Sequence, residues 1–238
     1  MSLKGLVNDW KKKPVFILSI GIRKSGKSYN SLALIELAMA KNVFDYYILC
    51  LPVYDYEQTD SYKFIKDYEK ANKGGVAIYD KYSYLITDKI LAAANKISKK
   101  RILIFVDDAM LSKSAIYEQN FYGLLSIARH LGISIMLNFH SLTSGRVLSP
   151  FVRQNIDLFC LYKVVSDQLL KLIYDEYVSL VNDIVDWKTF RTQYIKHVNS
   201  GEFQSLLLDA RTGEIDWNLK DLKKYIDSHS SVSRAGSV

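Results

Sequence analysis

The feature that most constrains the fold is a glycine-rich loop between an apolar run and a helix-forming run. Residues 14–20 (PVFILSI) are mostly apolar and end at a glycine, which indicates a buried strand. Residues 28–40 are rich in Leu, Ala, Ile and Glu, which favours a helix. The segment that joins them, GIRKSGKS at residues 21–28, has the spacing G-x-x-x-x-G-K-[ST]. A strand, a glycine loop and a helix in this order predict a phosphate-binding loop.

The residue types in this loop suit the phosphates of ATP or a similar nucleotide. Glycines let the backbone bend so that its N–H groups point inward, and the start of the helix adds partial positive charge. Lys27 is expected to contact the β- and γ-phosphates, and the Ser28 hydroxyl to bind Mg²⁺. Arg23 and Lys24 add further positive charge inside the loop. The predicted nucleotide-contacting residues are Gly21, Ile22, Arg23, Lys24, Ser25, Gly26, Lys27 and Ser28.

A second acidic motif follows another apolar run. Residues 102–106 (ILIFV) predict a buried strand, and two carboxylates, Asp107 and Asp108, come directly after it. Asp107 is expected to hold Mg²⁺, directly or through water. Asp108 is expected to orient or deprotonate the attacking water. Because a small-molecule kinase uses its substrate as the nucleophile, a second carboxylate here favours ATP hydrolysis.

The next predicted strand, residues 133–137, is followed by polar residues. In motor ATPases with an extra strand between those of the two motifs, such a residue senses the γ-phosphate. His140 could do so as a donor, and Asn138 is the alternative. Either Arg129 or Arg153 could be an arginine that acts on a neighbouring subunit's nucleotide, and Arg146 is a further candidate.

Strands and helices alternate along the chain, which predicts an α/β fold with a mostly parallel central sheet flanked by helices. The predicted strands are 14–20, 44–51, 76–79, 102–106, 133–137 and 156–162, with a terminal hairpin over 203–208 and 214–217. The predicted helices are 28–40, 87–99, 115–131, 167–180 and 187–198. On the third of these, the predicted core face is Tyr117, Phe121, Leu124, Leu125 and Ala128. The expected organisation is a basic N-terminal extension (1–13), an ATPase domain (14–218), and a short helix with a disordered tail (219–238).

Composition narrows the class of protein further. The net charge of +7 and the pI of about 9.1 are compatible with a nucleic-acid partner, and equally with a solvated basic surface. Cys50 and Cys160 are isolated in apolar runs, so they give no metal-binding spacing. No apolar run approaches the ~18 residues of a membrane span. These features predict a soluble protein in a reducing compartment.

Four segments together resemble a known family: GIRKSGKSY, ILIFVDDAM, ARHLGISIMLNFH and VRQNIDLFCLY. Over residues 14–165 the chain is similar to the genome-packaging ATPases of double-jelly-roll and nucleocytoplasmic large DNA viruses, in the FtsK–HerA superfamily. The resemblance implies a RecA-like (ASCE) P-loop NTPase core and assembly into a ring, a pentamer or a hexamer. It implies ATP hydrolysis that drives double-stranded DNA into a preformed capsid, with capsid or portal-vertex proteins as partners. The implied location is the host cytoplasm or a viral factory, or the virion vertex.

The same resemblance assigns roles to individual residues. Lys27 and Ser28 match the phosphate loop, Asp107 the metal carboxylate, and Asp108 the catalytic carboxylate. Arg129 matches the trans-acting arginine and His140 the sensor. Two departures are expected to affect turnover and coupling more than nucleotide binding: the family typically has Glu where Asp108 stands and Gln where His140 stands.

Two other classes of function stay open. A P-loop kinase or metabolic NTPase would need a lid with several basic residues after the second motif, and residues 111–119 contain only Lys113. A nucleotide-gated DNA-binding or assembly switch would bind ATP and turn it over slowly. Asp108, which stands where the family typically has Glu, is the feature that leaves this nucleotide-gated class of function possible.

Overall fold

The predicted alternation of strands and helices is present in the computed structural model. The structure describes residues 10–52, 62–71, 75–93, 96, 100–116, 119–140, 149–164, 166–179 and 186–216. The strands are β1 (Phe16–Ile20), β2 (Tyr46–Cys50), β3 (Val76–Tyr79), β4 (Ile102–Val106), β5 (Ile133–Phe139), β6 (Leu158–Leu161), β7 (Leu206–Asp209) and β8 (Ile215–Asp216). The helices are α1 (Lys27–Ala40), α2 (Lys63–Ala71), α3 (Tyr84–Ala92), α4 (Lys113–Ile116), α5 (Gln119–Ala128), α6 (Pro150–Asn155), α7 (Asp167–Ile173) and α8 (Trp187–Val198).

All of these strands belong to one sheet, in the order β3-β2-β4-β5-β1-β6-β7-β8. Neighbours from β3 to β6 pair in parallel, and β7 and β8 add antiparallel pairs at one edge. The predicted mostly parallel α/β sheet is therefore confirmed. Strand β5 lies between β1 and β4, which carry the two sequence motifs, as the sensor argument required.

The sheet is buried on both faces, which explains why its central strands are continuous apolar runs. Leu18, Ile104 and Ile135 face one side, in a cluster with residues of α3, α5 and α8. Ile17, Leu103 and Met136 face the other side, in a cluster with α1. The helices thus cover both faces and leave the ends of the strands for function.

Several boundaries differ from the predicted ones for local reasons. Helix α3 begins at Tyr84, because Ser83 has the extended backbone of a cap residue. The helix predicted over 115–131 is replaced by a 3₁₀ turn (Ala109–Ser112), α4 and α5. The helix predicted over 167–180 changes to a π-helical turn over Tyr174–Val178. The hairpin is confirmed as the antiparallel pair β7–β8.

The prediction that strand β5 ends at Leu137 is wrong. Asn138 and Phe139 continue the ladder opposite Ser19 and Ile20 of β1, so Asn138 lies inside the strand. The cause is that its side chain finds a buried hydrogen-bonding partner, as described below.

Some predictions concern residues outside the described ranges. They include Tyr117, Arg146, most of the N-terminal extension and the tail after Asp216. The division into extension, ATPase domain and tail stays a prediction. Among the helices of the described ranges, none has both the length and the apolar character needed to cross a bilayer.

Candidate nucleotide site

The two motifs and the polar end of β5 meet at the carboxyl ends of the parallel strands. Because β1, β4 and β5 are parallel neighbours, their carboxyl ends lie together. The register pairs Ile20 with Phe139 and Val106 with Leu137. The phosphate-binding loop, Asp107–Asp108 and His140 therefore follow adjacent strand ends. In open α/β sheets, ligands bind at the carboxyl ends of the strands.

The phosphate-binding loop has the backbone that its glycines predict. Gly26 precedes α1 with φ of 96°, and Lys24 also has a left-handed φ, 60°. A Cβ on Gly21 would lie 2.5 Å from the Cβ of Tyr162, so no larger residue fits there without movement. The Gly21 N–H donates to the Phe139 carbonyl at 3.2 Å, and the Ile22 N–H to the Lys163 carbonyl at 2.9 Å. The ends of β5 and β6 thus hold the loop in place.

The Lys27 side chain turns back into this loop. It is 3% exposed. Its Nζ donates to the carbonyls of Gly21 and Ile22, both at 2.8 Å. Burial lowers the pKa of Lys27 from 10.5 to about 8, and the carboxylates of Asp107 and Asp108 act in the opposite direction. The ammonium is therefore costly to keep charged without an anionic partner.

A chain of buried hydrogen bonds joins the two motifs. Asp107 Oδ1 accepts from Ser28 Oγ at 2.9 Å and from Asn138 Nδ2 at 2.9 Å. Asn138 Oδ1 accepts in turn from Ser31 Oγ at 3.0 Å. Asn138 is fully buried and Ser31 is 1% exposed. This network fixes one carboxylate oxygen beside the first turn of α1.

Asp108 and His140 form the outer part of the site. His140 Nε2 lies 3.4 Å from Asp108 Oδ2. Burial, followed by the charge of Lys27, lowers the pKa of His140, with Asp108 acting against them. Asp108 has a left-handed φ of 47°, which Asp tolerates better than most residues. Such strained backbone is concentrated at functional sites.

The residues present fit Mg²⁺ held jointly with phosphates. Mg²⁺ is usually bound by one or two protein oxygens, several waters and substrate phosphates, and not by a cage of protein ligands. Ser28 and Asp107 supply two such oxygens next to the phosphate-binding loop. Within the described ranges, no cluster of three His, Cys, Asp or Glu side chains suits a metal ion. Ser28 and Asp107 therefore fit a shared site of this kind.

Arg129 lies at the amino ends of the strands, opposite the nucleotide site. Its Nη2 donates to Asp157 Oδ1 at 3.0 Å, just before β6. The other oxygen of Asp157 accepts from the Phe16 N–H, at the start of β1, at 2.8 Å. Arg129 therefore cannot reach the nucleotide site of its own chain, although its side chain is 56% exposed. Its action on a neighbouring subunit stays a prediction, as does that of Arg153, which pairs with Glu176 at 2.8 Å.

Sequence reasoning missed the supporting role of Asn138 and did not find Ser31. The sequence predicts only a sensor role for Asn138, yet its two side-chain polar atoms are already engaged with Asp107 and Ser31. A polar residue inside an apolar strand was the available signal, because a buried amide requires partners. Ser31 is three residues after Ser28, which places both on the same face of α1.

Comparisons with known proteins bear on the fold. No protein-family model matches the chain. No curated protein sequence matches it. Among solved structures, the genome-packaging NTPase of Sulfolobus turreted icosahedral virus 2, in complex with ATP-gammaS, has a TM-score of 0.59 at 17% identity, over 87% of this chain and 96% of that one. The chain has the fold of a P-loop NTPase.

Two further structures share this fold. The DNA-packaging ATPase of Sulfolobus turreted icosahedral virus has a TM-score of 0.58 at 20% identity, over 86% of this chain and 97% of that one. The pCW3 conjugation coupling protein TcpA has a TM-score of 0.50 at 13% identity, over 67% of this chain and 52% of that one. At these identities the likeness concerns the fold.

Proposed function

We propose that this chain is an ATP-hydrolysing motor that moves double-stranded DNA and packages a viral genome into a preformed capsid. The observation that carries the hydrolytic part is the convergence of Ser28, Asp107 and Asp108 at one edge of the sheet, directly beside the phosphate-binding loop. Two carboxylates at this place serve hydrolysis better than transfer to a small acceptor.

The residues of the site divide the work of binding and reaction. Loop N–H groups and the start of α1 bind the phosphates, and Lys27 moves from the loop carbonyls to phosphate oxygens. Ser28 and Asp107 would hold Mg²⁺, which neutralises charge on the phosphates when it is bound. Asn138 and Ser31 hold Asp107 in position. Asp108 orients the attacking water and accepts its proton.

His140 is the better candidate for the sensor. Asn138 is fully buried and both of its side-chain polar atoms are hydrogen-bonded, whereas His140 lies past the strand end beside Asp108. Burial and the charge of Lys27 lower the pKa of His140, which favours the neutral ring, in which one nitrogen donates and the other accepts. A change at the γ-phosphate would then reach Asp108 through this contact.

The motor part of the proposal has separate support. Solved structures with the same fold are a genome-packaging NTPase and a DNA-packaging ATPase of viruses. The net charge of +7 suits a DNA partner. We propose a homo-oligomeric ring, pentamer or hexamer, that acts with capsid or portal-vertex proteins in the host cytoplasm, in a viral factory or at the virion vertex.

The test is ATP hydrolysis by the purified chain with and without double-stranded DNA. Hydrolysis stimulated by DNA, and abolished by Lys27→Ala, supports the motor. Lys188→Ala is the matched control, because Lys188 is an exposed lysine on α8. Its activity should equal that of the wild type.

Three other results would favour different functions. Robust hydrolysis that DNA does not change would contradict a DNA motor and leave an NTPase of another kind. Phosphate transfer to a small acceptor would favour a kinase. Tight ATP binding without turnover would favour a nucleotide-gated switch.

A further inference from the structure

Two half-exposed aromatic side chains lie beside the phosphate-binding loop, and the phosphate chemistry uses neither. Tyr29 follows Ser28 in the first turn of α1, and Phe203 lies in the loop between α8 and β7. Their ring centroids are 5.3 Å apart with an interplanar angle of 30°. The two residues are 44% and 43% exposed. A tilted aromatic pair at the surface offers aromatic area to a further planar group.

The Phe203 loop is placed against the phosphate-binding loop by specific contacts. A Cβ on Gly26 would lie 2.5 Å from the Cβ of Phe203 and 2.7 Å from two of its ring carbons. Asn30 Nδ2 donates to the Phe203 carbonyl at 3.3 Å. Gly26 is therefore required twice, for its left-handed φ of 96° and for the close approach of Phe203.

The backbone at Phe203 is strained although its side chain is not buried. Its φ is 57°, in the left-handed region that bulky residues rarely adopt. Strain of this kind persists when surrounding contacts hold it, and it is concentrated at ligand sites. Burial in the core cannot be the reason for it here, because Phe203 remains 43% exposed. The Phe203 ring is therefore held beside the phosphate-binding loop although its burial contributes little to the stability of the fold.

We propose that the base of the bound nucleoside triphosphate stacks on the Tyr29–Phe203 pair. The inference rests on the proposed nucleotide site, because the phosphates anchored by Gly26, Lys27 and Ser28 bring the base to the neighbouring rings. Stacking uses the π-face that every base has, so the pair adds affinity with little discrimination between ATP and GTP.

The test compares ATP with inorganic tripolyphosphate, which has the phosphates and lacks the base. Binding of each to the full chain is measured by titration calorimetry with Mg²⁺ present. Phe203→Ala should weaken ATP binding by roughly 5- to 150-fold, the range of base–aromatic stacking. It should change tripolyphosphate binding by less than about twofold, as for a surface substitution. Tyr29→Ala should act in the same direction.

Matched variants distinguish the effect of the aromatic ring from the effect of side-chain size. Phe203→Trp retains an aromatic face and should keep ATP affinity, whereas Phe203→Leu fills similar space and should lose it. Tyr84→Ala, which removes another exposed aromatic residue at the start of α3, should change neither affinity. Thermal unfolding of each variant shows that the fold is retained.

Two outcomes would overturn the inference. Equal loss of ATP and tripolyphosphate binding in Phe203→Ala would mean that Phe203 only shapes the phosphate-binding loop. Unchanged ATP binding would mean that the base lies elsewhere, while the phosphate site itself still stands. Failure of the nucleotide site itself looks different, because the wild type would then bind neither ligand and Lys27→Ala would change nothing. Failure of the motor function alone would appear in the DNA-stimulated hydrolysis assay and would leave these affinities unchanged.

Discussion

Asn138, fully buried inside β5, donates a hydrogen bond of 2.9 Å to the Asp107 oxygen that also accepts from Ser28. This contact links the centre of the sheet to Asp107, the carboxylate that we propose holds Mg²⁺. The amide also accepts from Ser31, so both sides of its polar group are satisfied.

We expect Asn138→Ala to destabilise the protein, because Asp107 and Ser31 each lose a buried partner. The expected loss in the free energy of unfolding is about 1–3 kcal/mol, measured by urea denaturation. Asn199→Ala, at an exposed asparagine after α8, is the control and should cost under about 0.5 kcal/mol. Equal effects of the two substitutions would contradict a special role for Asn138.

The lowered pKa of Lys27 predicts a pH-dependent stability. Between the folded pKa of about 8 and the ordinary value of 10.5, the unfolded chain binds more protons than the folded one. The destabilisation from the buried charge is complete below that window and disappears above it. The stability of the wild type relative to Lys27→Met should therefore rise by about 2 kcal/mol between about pH 7.5 and about pH 9.5.

Urea denaturation of both proteins at the two pH values measures this difference, and comparing them cancels the other titrating groups. Lys188→Met is the control at an exposed lysine. A constant difference between Lys27→Met and wild type, or an equal slope for Lys188→Met, would show that the Lys27 ammonium is not destabilised by burial.

Asp108 is predicted to act in turnover and not in binding. Asp108→Asn removes the proton acceptor and keeps the size of the side chain, so kcat should fall by about 10²- to 10⁴-fold. The Kd for ATP should change little. Both are measured by steady-state hydrolysis and calorimetry, with the exposed Asp88→Asn as control. Wild-type kcat in Asp108→Asn would move the catalytic base to another residue.

Arg129 is expected to contribute to stability through Asp157, a carboxylate whose side chain is 4% exposed. Arg129→Ala removes that hydrogen bond, but Arg211 lies 3.9 Å from the same oxygen and Arg129 is half exposed. The expected cost is therefore about 1 kcal/mol by urea denaturation. Arg191→Ala, from an ion pair with Asp167 whose side chains are 42% and 61% exposed, should cost less.

A separate measurement tests whether Arg129 also acts on a neighbouring subunit. Arg129→Ala should bind ATP normally and fail to hydrolyse it. Mixing it with Asp107→Ala protein should restore part of the activity, because some subunit interfaces then contain both intact groups. If mixed rings show no rescue, the arginine must be sought at Arg153, at Arg146 or elsewhere.

Much of the fold was predictable because it follows from local patterns. The apolar runs that became β1, β3, β4 and β6 were recognised from composition, and the helix predicted over 187–198 is present as α8 with the same bounds. The phosphate-binding loop and Asp107 were predicted because their residue types and spacing match the chemistry of phosphates and Mg²⁺, and the structure places Ser28 of the loop beside Asp107. The end of β5 was misplaced because Asn is polar, and a pattern cannot show that a distant Ser31 and Asp107 will satisfy it.

The sequence by itself determined a strand, a phosphate-binding loop and a helix, together with a second strand that ends in two carboxylates, because these depend on neighbouring residues. Only the tertiary structure decided which groups meet. It placed β5 between β1 and β4 and joined Asn138 to Asp107 by a hydrogen bond. It placed Arg129 beside Asp157, at the amino ends of the strands and away from the nucleotide site. It also brought Phe203 against Gly26 across a long stretch of chain. The physical reason is that such contacts depend on strand order and register, which are set by packing of the whole sheet and not by any short segment.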